Sequence, residues 1–211
     1  MFEWIAARSA RKEACIECGA GLGEIADFLS SQFDRVIATD IAPQPSPYGV
    51  TIIKAAADRL PAEDCSMDLL ISMQSLHHFD VPAHLAEARR VVRPRGVFAA
   101  LCWGEIALPP TILQVFKPTL AALTPYWEES RLWVLSGYEG LSLPGVPLNL
   151  PRARMTRMMT PPDIMREIEG WSASRSAAKA GSTIAVPDLS GLDQHRPVPV
   201  HWPILGRAFQ L

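Results

Sequence analysis

Through the first half of the chain, short apolar runs closed by acids alternate with stretches whose apolar residues recur every three to four positions. "EACIE" and "RVIATD" are two such runs. Between them "GEIADFLSSQF" sets Ile25, Phe28 and Leu29 at helical spacing, so the segment reads as strand, helix, strand. "GVTIIKA", "SMDLLISM" and "RGVFAALCW" continue the strands, and "PAHLAEARRVV" reads as a helix opened by Pro82 and ended near Pro94. Strands alternating with helices imply a Rossmann-like, doubly wound α/β fold whose sheet is mostly parallel and covered on both faces.

The second half follows another pattern. From Pro109 to Pro162 prolines recur every few residues with Phe116, Tyr126, Trp127, Trp133 and Tyr138 between them, which predicts a cap of short helices and irregular segments over something apolar. "RARMTRMM" reads as a strand, "PPDIMREIEGWSA" as a helix started by Pro161 or Pro162, and "VPVHWPILGRAF" as a late edge strand. "AAKAGSTIAVPDLSGLDQHRP" is small and polar, a loop able to move. The expected organisation is one domain over residues 1–211, with a core at 14–105, a cap insertion at 106–162, and a C-terminal helix and edge strands at 163–211.

Composition narrows the partners. With 211 residues, 48% of them hydrophobic and 20% charged, the chain is long enough for one full core. A net charge of -2 gives no pull toward nucleic acid or anionic membrane, which leaves small molecules or proteins as partners; a small-molecule substrate and a monomer or homodimer are expected. The most apolar run, "GVFAALCW", is far shorter than the roughly 20 residues of a membrane helix, and "MFEWIAARSARK" lacks a leader's apolar core, so a cytoplasmic protein is expected. Cys15-Ile16-Glu17-Cys18 is a C-x-x-C, but Cys65 and Cys102 stand alone, and Cys15 falls in the strand and Cys18 in the turn. The pair reads as structural, and no metal is assigned.

The chemistry concentrates in "ACIECGAGLGEI", residues 14–25. A dinucleotide fingerprint spaces its glycines G-x-G-x-x-G to bring a helix N-terminus onto a pyrophosphate. Here Gly19, Gly21 and Gly23 give G-x-G-x-G, and Glu17 would receive a pyrophosphate poorly but an ammonium or sulfonium well. S-adenosylmethionine (SAM) carries both cations. Ligands of open α/β sheets bind at the strand ends, where acids wait. Asp40 closes the second strand, 17 residues beyond Gly23, able to take both ribose hydroxyls. Asp58 follows the third strand in "AAADRLP", able to accept from an adenine amino group. A nicotinamide dehydrogenase shares the fold pattern but not the glycine spacing or Glu17.

"CIECGAGLGEIADFLSSQFDRVIATDIAPQ", "AAADRLPAEDCSMDLLISMQSLHHFD" and "EARRVVRPRGVFAALCW" resemble the successive signature segments of the class I SAM-dependent methyltransferases, closest in feel to small-molecule enzymes of the trans-aconitate and ubiquinone-pathway type. The resemblance implies a seven-stranded sheet, SAM as cofactor, and roles for individual residues. Glu17, Gly19, Ala20 and Gly21 would line the methionine and ribose, Asp40 and Ile41 the ribose, and Asp58 and Arg59 the adenine. Met73 and Gln74 would present backbone groups to the methionine tail. His77, His78 and Phe79 would stand toward the acceptor. Two departures are visible: only 13 residues precede Ala14 where the family has several helical turns over SAM, so that cover is short or absent, and Arg95 replaces a favoured glycine in Pro94-Arg95-Gly96.

Methyl transfer asks mainly for position, exclusion of water and, for some acceptors, removal of a proton. His77 or His78 is the candidate base, Arg131 or Arg175 a candidate for orienting a carboxylate acceptor, and Trp103, Tyr126, Trp127 and Trp171 candidates for closing the pocket or facing the sulfonium. Each also has a plain structural role open to it. The leading expectation is a SAM-dependent methyltransferase of a small molecule, in secondary metabolism. Two others stand beside it: a SAM cyclase, in which the substrate's own amine attacks the methionine γ-carbon to give azetidine-2-carboxylate and methylthioadenosine, and a non-catalytic SAM-binding protein.

Overall fold

The computed structural model describes residues 1–211, and the chain divides into two compact units. The first unit comprises residues 1–103, 133–153 and 204–211, and the second comprises 104–132 and 154–203. Residues 133–153, placed in the cap by their prolines and aromatics, therefore belong with the sheet.

In the first unit, α1 (Phe2–Ala6) precedes β1 (Ala14–Cys18), α2 (Glu24–Ser30), β2 (Arg35–Asp40), β3 (Ile52–Lys54), β4 (Met67–Met73), α3 (Val81–Val91) and β5 (Val92–Trp103). The second unit carries α4 (Pro110–Leu123), and α5 (Arg131–Leu135) follows. Next come β6 (Val146–Leu148), β7 (Ala153–Met159), α6 (Pro161–Glu169), α7 (Ser172–Lys179) and β8 (Val198–Gln210). Along the sheet the order is β3-β2-β1-β4-β5-β8-β6, with β7 paired to β8, which makes eight strands. The pairs among β1 to β5 are parallel, whereas β8 runs antiparallel to β5 and β6.

β1 and β4 are buried along their whole length, as strands covered on both faces must be. One face holds Ile16, Leu70, Phe98 and Tyr138, and the other holds Cys15, Leu29, Leu69, Ile71 and Val97. Phe2 and Trp4 pack on the second face.

Three expectations change. β8 is not an edge strand, because Ile204 to Gln210 pair with β5 on one side while Ala208 to Gln210 pair with β6 on the other. Its prolines, Pro199 and Pro203, both precede the segment paired with β5, so their missing N–H groups cost that ladder nothing. The Pro109–Pro162 stretch includes one long helix, α4, opened by Pro110 and carrying Pro118 inside it. The helix predicted over "PPDIMREIEGWSA" is two, broken at Gly170 and Trp171.

Candidate active site

Turn geometry at the end of β1 builds the first wall. Gly19 and Gly21 sit at φ +73° and +56°, the left-handed region that glycine tolerates without cost. The N–H groups of Gly19 and Ala20 both donate to the Thr39 carbonyl at 2.9 Å, which ties the turn to β2. A Cβ on Gly19 would lie 2.5 Å from the Ser75 Cβ, whereas one on Gly21 would meet nothing within 4 Å. The first glycine is thus required by close packing and the second faces open space.

Beside this turn lies a cavity of about 570 Å³, lined by Gly19, Gly21, Asp40, Asp58, His78 and Phe79, with Cys18, Ile41, Ala55 to Ala57, Gln74, Ser75 and Asp80 completing the wall. It opens at the C-terminal ends of β1, β2 and β4, where open α/β sheets bind ligands, and its size suits a nucleoside.

Its carboxylates are oriented differently. Asp40 Oδ2 accepts from the Gly21 N–H at 3.0 Å and Oδ1 from the Ala42 N–H at 2.9 Å, so backbone donors hold it at the rim. The exposed Asp58 carboxylate is offered to solvent from the loop after β3. Glu17 is 2% exposed on β1, and its Oε2 has no partner. Burial pushes the Glu17 carboxyl up to about 8, against the pull of the Ala26 N–H at the start of α2; Asp40 and Glu24 add to the rise.

The remaining predicted residues separate. Gly19, Gly21, Asp40, Ile41, Asp58, Gln74 and His78 come together on the cavity wall. Ala20 and Met73 are buried beside it, and Arg59 lines an adjoining cleft with Lys54 and Leu60 rather than the cavity itself. Gln74 adopts φ +57°, and its Oε1 accepts the Trp103 N–H at 2.8 Å. The Trp103 ring is partly buried and packs against the core face that holds Met73 and Leu101. His77 Nδ1 lies 3.2 Å from the hydroxyl of the fully buried Tyr138, and its ring sits 4.0 Å from that of His78.

Tyr126 and Arg131 belong to the second unit. There the Tyr126 hydroxyl pairs with Ser182 Oγ at 2.5 Å. The Arg131 guanidinium stacks 3.6 Å from the Trp127 ring centre, Trp127 meets Trp171 at 5.5 Å, and Glu105 lies 3.6 Å from Arg131. Arg175, on α7, donates to the Gly170 carbonyl at the end of α6. The wall residues that pattern reading missed are Cys18, Ala55 to Ala57, Ser75 and Asp80. All except Cys18 and Ala55 to Ala57 follow β4, where fold rules place ligands but no residue type announces them.

A methyltransferase domain model matches residues 16–100. The chain is similar to the structure of a protein assigned as a type II methyltransferase from Anaeromyxobacter dehalogenans, with a TM-score of 0.86 and 28% identity over 99% of this chain and 94% of that one. It is 21% identical to a protein of Dictyostelium discoideum assigned as a methyltransferase, over 85% of this chain and 72% of that protein. Over 42% of this chain and 31% of the other it is 33% identical to the methyltransferase AacuQ of Aspergillus aculeatus. Fold, cleft and relatives together define a SAM-dependent transferase. Over residues 16–100 the chain carries a methyltransferase domain, and SAM is the cofactor that this domain implies. The cleft fits that group on its own terms, since the rim carboxylate of Asp40, preset by backbone donors, suits a diol; Glu17, whose Oε2 is buried and unpaired, lies on β1 outside the cavity wall. No helix is long and apolar enough to cross a membrane.

Proposed function

We propose that the protein methylates a small molecule and that its acceptor is handled by His78 at the cavity. When bound, SAM supplies a methyl group already activated by the sulfonium. Asp40, preset by the Gly21 and Ala42 amides, would take the ribose hydroxyls. Asp58 would accept from the adenine amino group, and Glu17 would meet the methionine ammonium. His78, on the cavity wall, would accept a proton from a hydroxyl or amine acceptor.

The observation that carries the reading is the cleft itself, in which the glycine turn, Asp40 and Asp58 converge on one cavity of nucleoside size. A net charge of -2 supports a small acceptor over a nucleic acid.

The test is to incubate the protein with SAM alone and with panels of small carboxylic acids, phenols and amines, and to identify the nucleoside product by mass spectrometry. S-adenosylhomocysteine that forms only with an acceptor is the expected outcome. Methylthioadenosine released from SAM alone, well above the spontaneous rate, would overturn it in favour of cyclisation.

A further inference from the structure

His84 lies on α3, outside the cavity wall, and is fully buried. Its Nδ1 sits 2.9 Å from the Ala57 carbonyl oxygen. A carbonyl only accepts, so the proton is on Nδ1, and Nε2 turns its lone pair toward Ser72 Oγ at 3.5 Å. The ring meets Phe79 edge-on at 4.9 Å and Phe98 at 5.9 Å. Ala57 and Phe79 are both walls of the cavity, so this one side chain touches two of them from behind.

Helical spacing extends the contact. Glu87 and Arg90 follow His84 at three-residue intervals on α3, and they hold the same loop further along. Glu87 Oε1 accepts the Leu60 N–H at 2.7 Å, while Arg90 donates to the Leu60 carbonyl at 3.2 Å and to the Ala62 carbonyl at 2.8 Å. Asp58 lies between the two attachment points. A leucine would fill the space between Phe79 and Phe98 without the cost of burying an imidazole, so the polar ring is accounted for by its bond to Ala57.

We propose that His84 is a positioning residue for adenine recognition: by donating Nδ1–H to the Ala57 carbonyl from inside the core, it holds the loop so that Asp58 meets the adenine amino group. The proposal rests on the adenine role given to Asp58 above. Burial keeps the imidazole below its ordinary range, against the pull of Glu87 and the Ala57 carbonyl, so the ring stays neutral and its tautomer stays set at neutral pH.

The test measures binding by calorimetry, with S-adenosylhomocysteine and S-inosylhomocysteine as probes; the second lacks the adenine amino group. The wild type is expected to prefer S-adenosylhomocysteine by about tenfold or more, one charge-assisted hydrogen bond's worth. His84→Leu should bring that preference to within about twofold while S-inosylhomocysteine binds almost as before. His84→Asn, whose side-chain amide can donate near the Nδ1 position, should recover most of it. Nitrogen NMR of the wild-type ring should show the Nδ1–H tautomer, a readout that holds even if His84→Leu does not fold.

Wild-type preference retained in His84→Leu, or the opposite tautomer in the wild type, would overturn the proposal alone. Equal binding of the two probes by the wild type, or an unchanged preference in Asp58→Asn, would overturn the Asp58 reading and the proposal with it.

Discussion

Glu17 stands on β1, an interior strand buried along its whole length, and its Oε2 has no partner. Because burial raises it to about 8, the folded chain holds a proton there that the unfolded chain releases near its ordinary value of 4.5. The stability this group contributes is therefore complete in acid, falls as the pH climbs from about 4.5 to about 8, and stays low above that. Urea melts of the cofactor-free protein between pH 5 and 9 should show that decline, and Glu17→Gln should flatten it. Parallel pH profiles for the two proteins would refute the assignment. Glu17 was legible as an acid near a cation; its proton at neutral pH was not, since that depends on what covers the strand. Arg95 is similar. Its sequence departs from a favoured glycine without visible meaning, and the structure shows φ +68° there, a left-handed turn that glycine would occupy at less cost.

Elements came through where their pattern was strong and local. β1, β2, β4 and α3 lie within one or two residues of their expected bounds: the fully buried β1 and β4 read as continuous apolar runs, and α3 has Asp80 accepting from the Ala83 N–H to start it. β8 shows the opposite. Its prolines argued for an edge, yet the half that pairs with β5 begins after Pro203 and contains Gly206 opposite Leu101. A Cβ on Gly206 would lie 2.2 Å from the Ala100 carbonyl oxygen, so the neighbouring strand's backbone forbids a side chain there. Gly206→Ala should lower unfolding stability by at least about 2 kcal/mol in denaturant melts, well above an ordinary surface substitution. A change under about 0.5 kcal/mol would mean that β5 and β8 do not run this close.

At the scale of the molecule, the cavity gathers Asp40, Asp58 and the glycine turn from segments separated by up to 39 residues, so occupying it couples β1, β2 and the loop after β3. Ligand that binds only the folded chain stabilises it by mass action. At a hundred times its Kd, S-adenosylhomocysteine should raise the melting temperature by roughly 5–10 °C, and Asp40→Ala should abolish most of that rise at the same concentration. An unshifted melting curve in the wild type would place the ligand elsewhere.

What the sequence settled was what short-range physics encodes. The alternation of apolar runs and helical spacing set the doubly wound sheet, while the G-x-G-x-G spacing with acids at the strand ends marked the cofactor cleft. The tertiary structure decided what depends on chain segments meeting. Pairing to β5 and β6 moved β8 off the edge, 133–153 joined the sheet unit, and a histidine on α3 came to rest against the Ala57 carbonyl 27 residues away. Periodicity reports which face of an element is apolar. The partner that covers that face, and with it the proton on Glu17 or the tautomer of His84, is fixed by long-range packing that no local pattern contains.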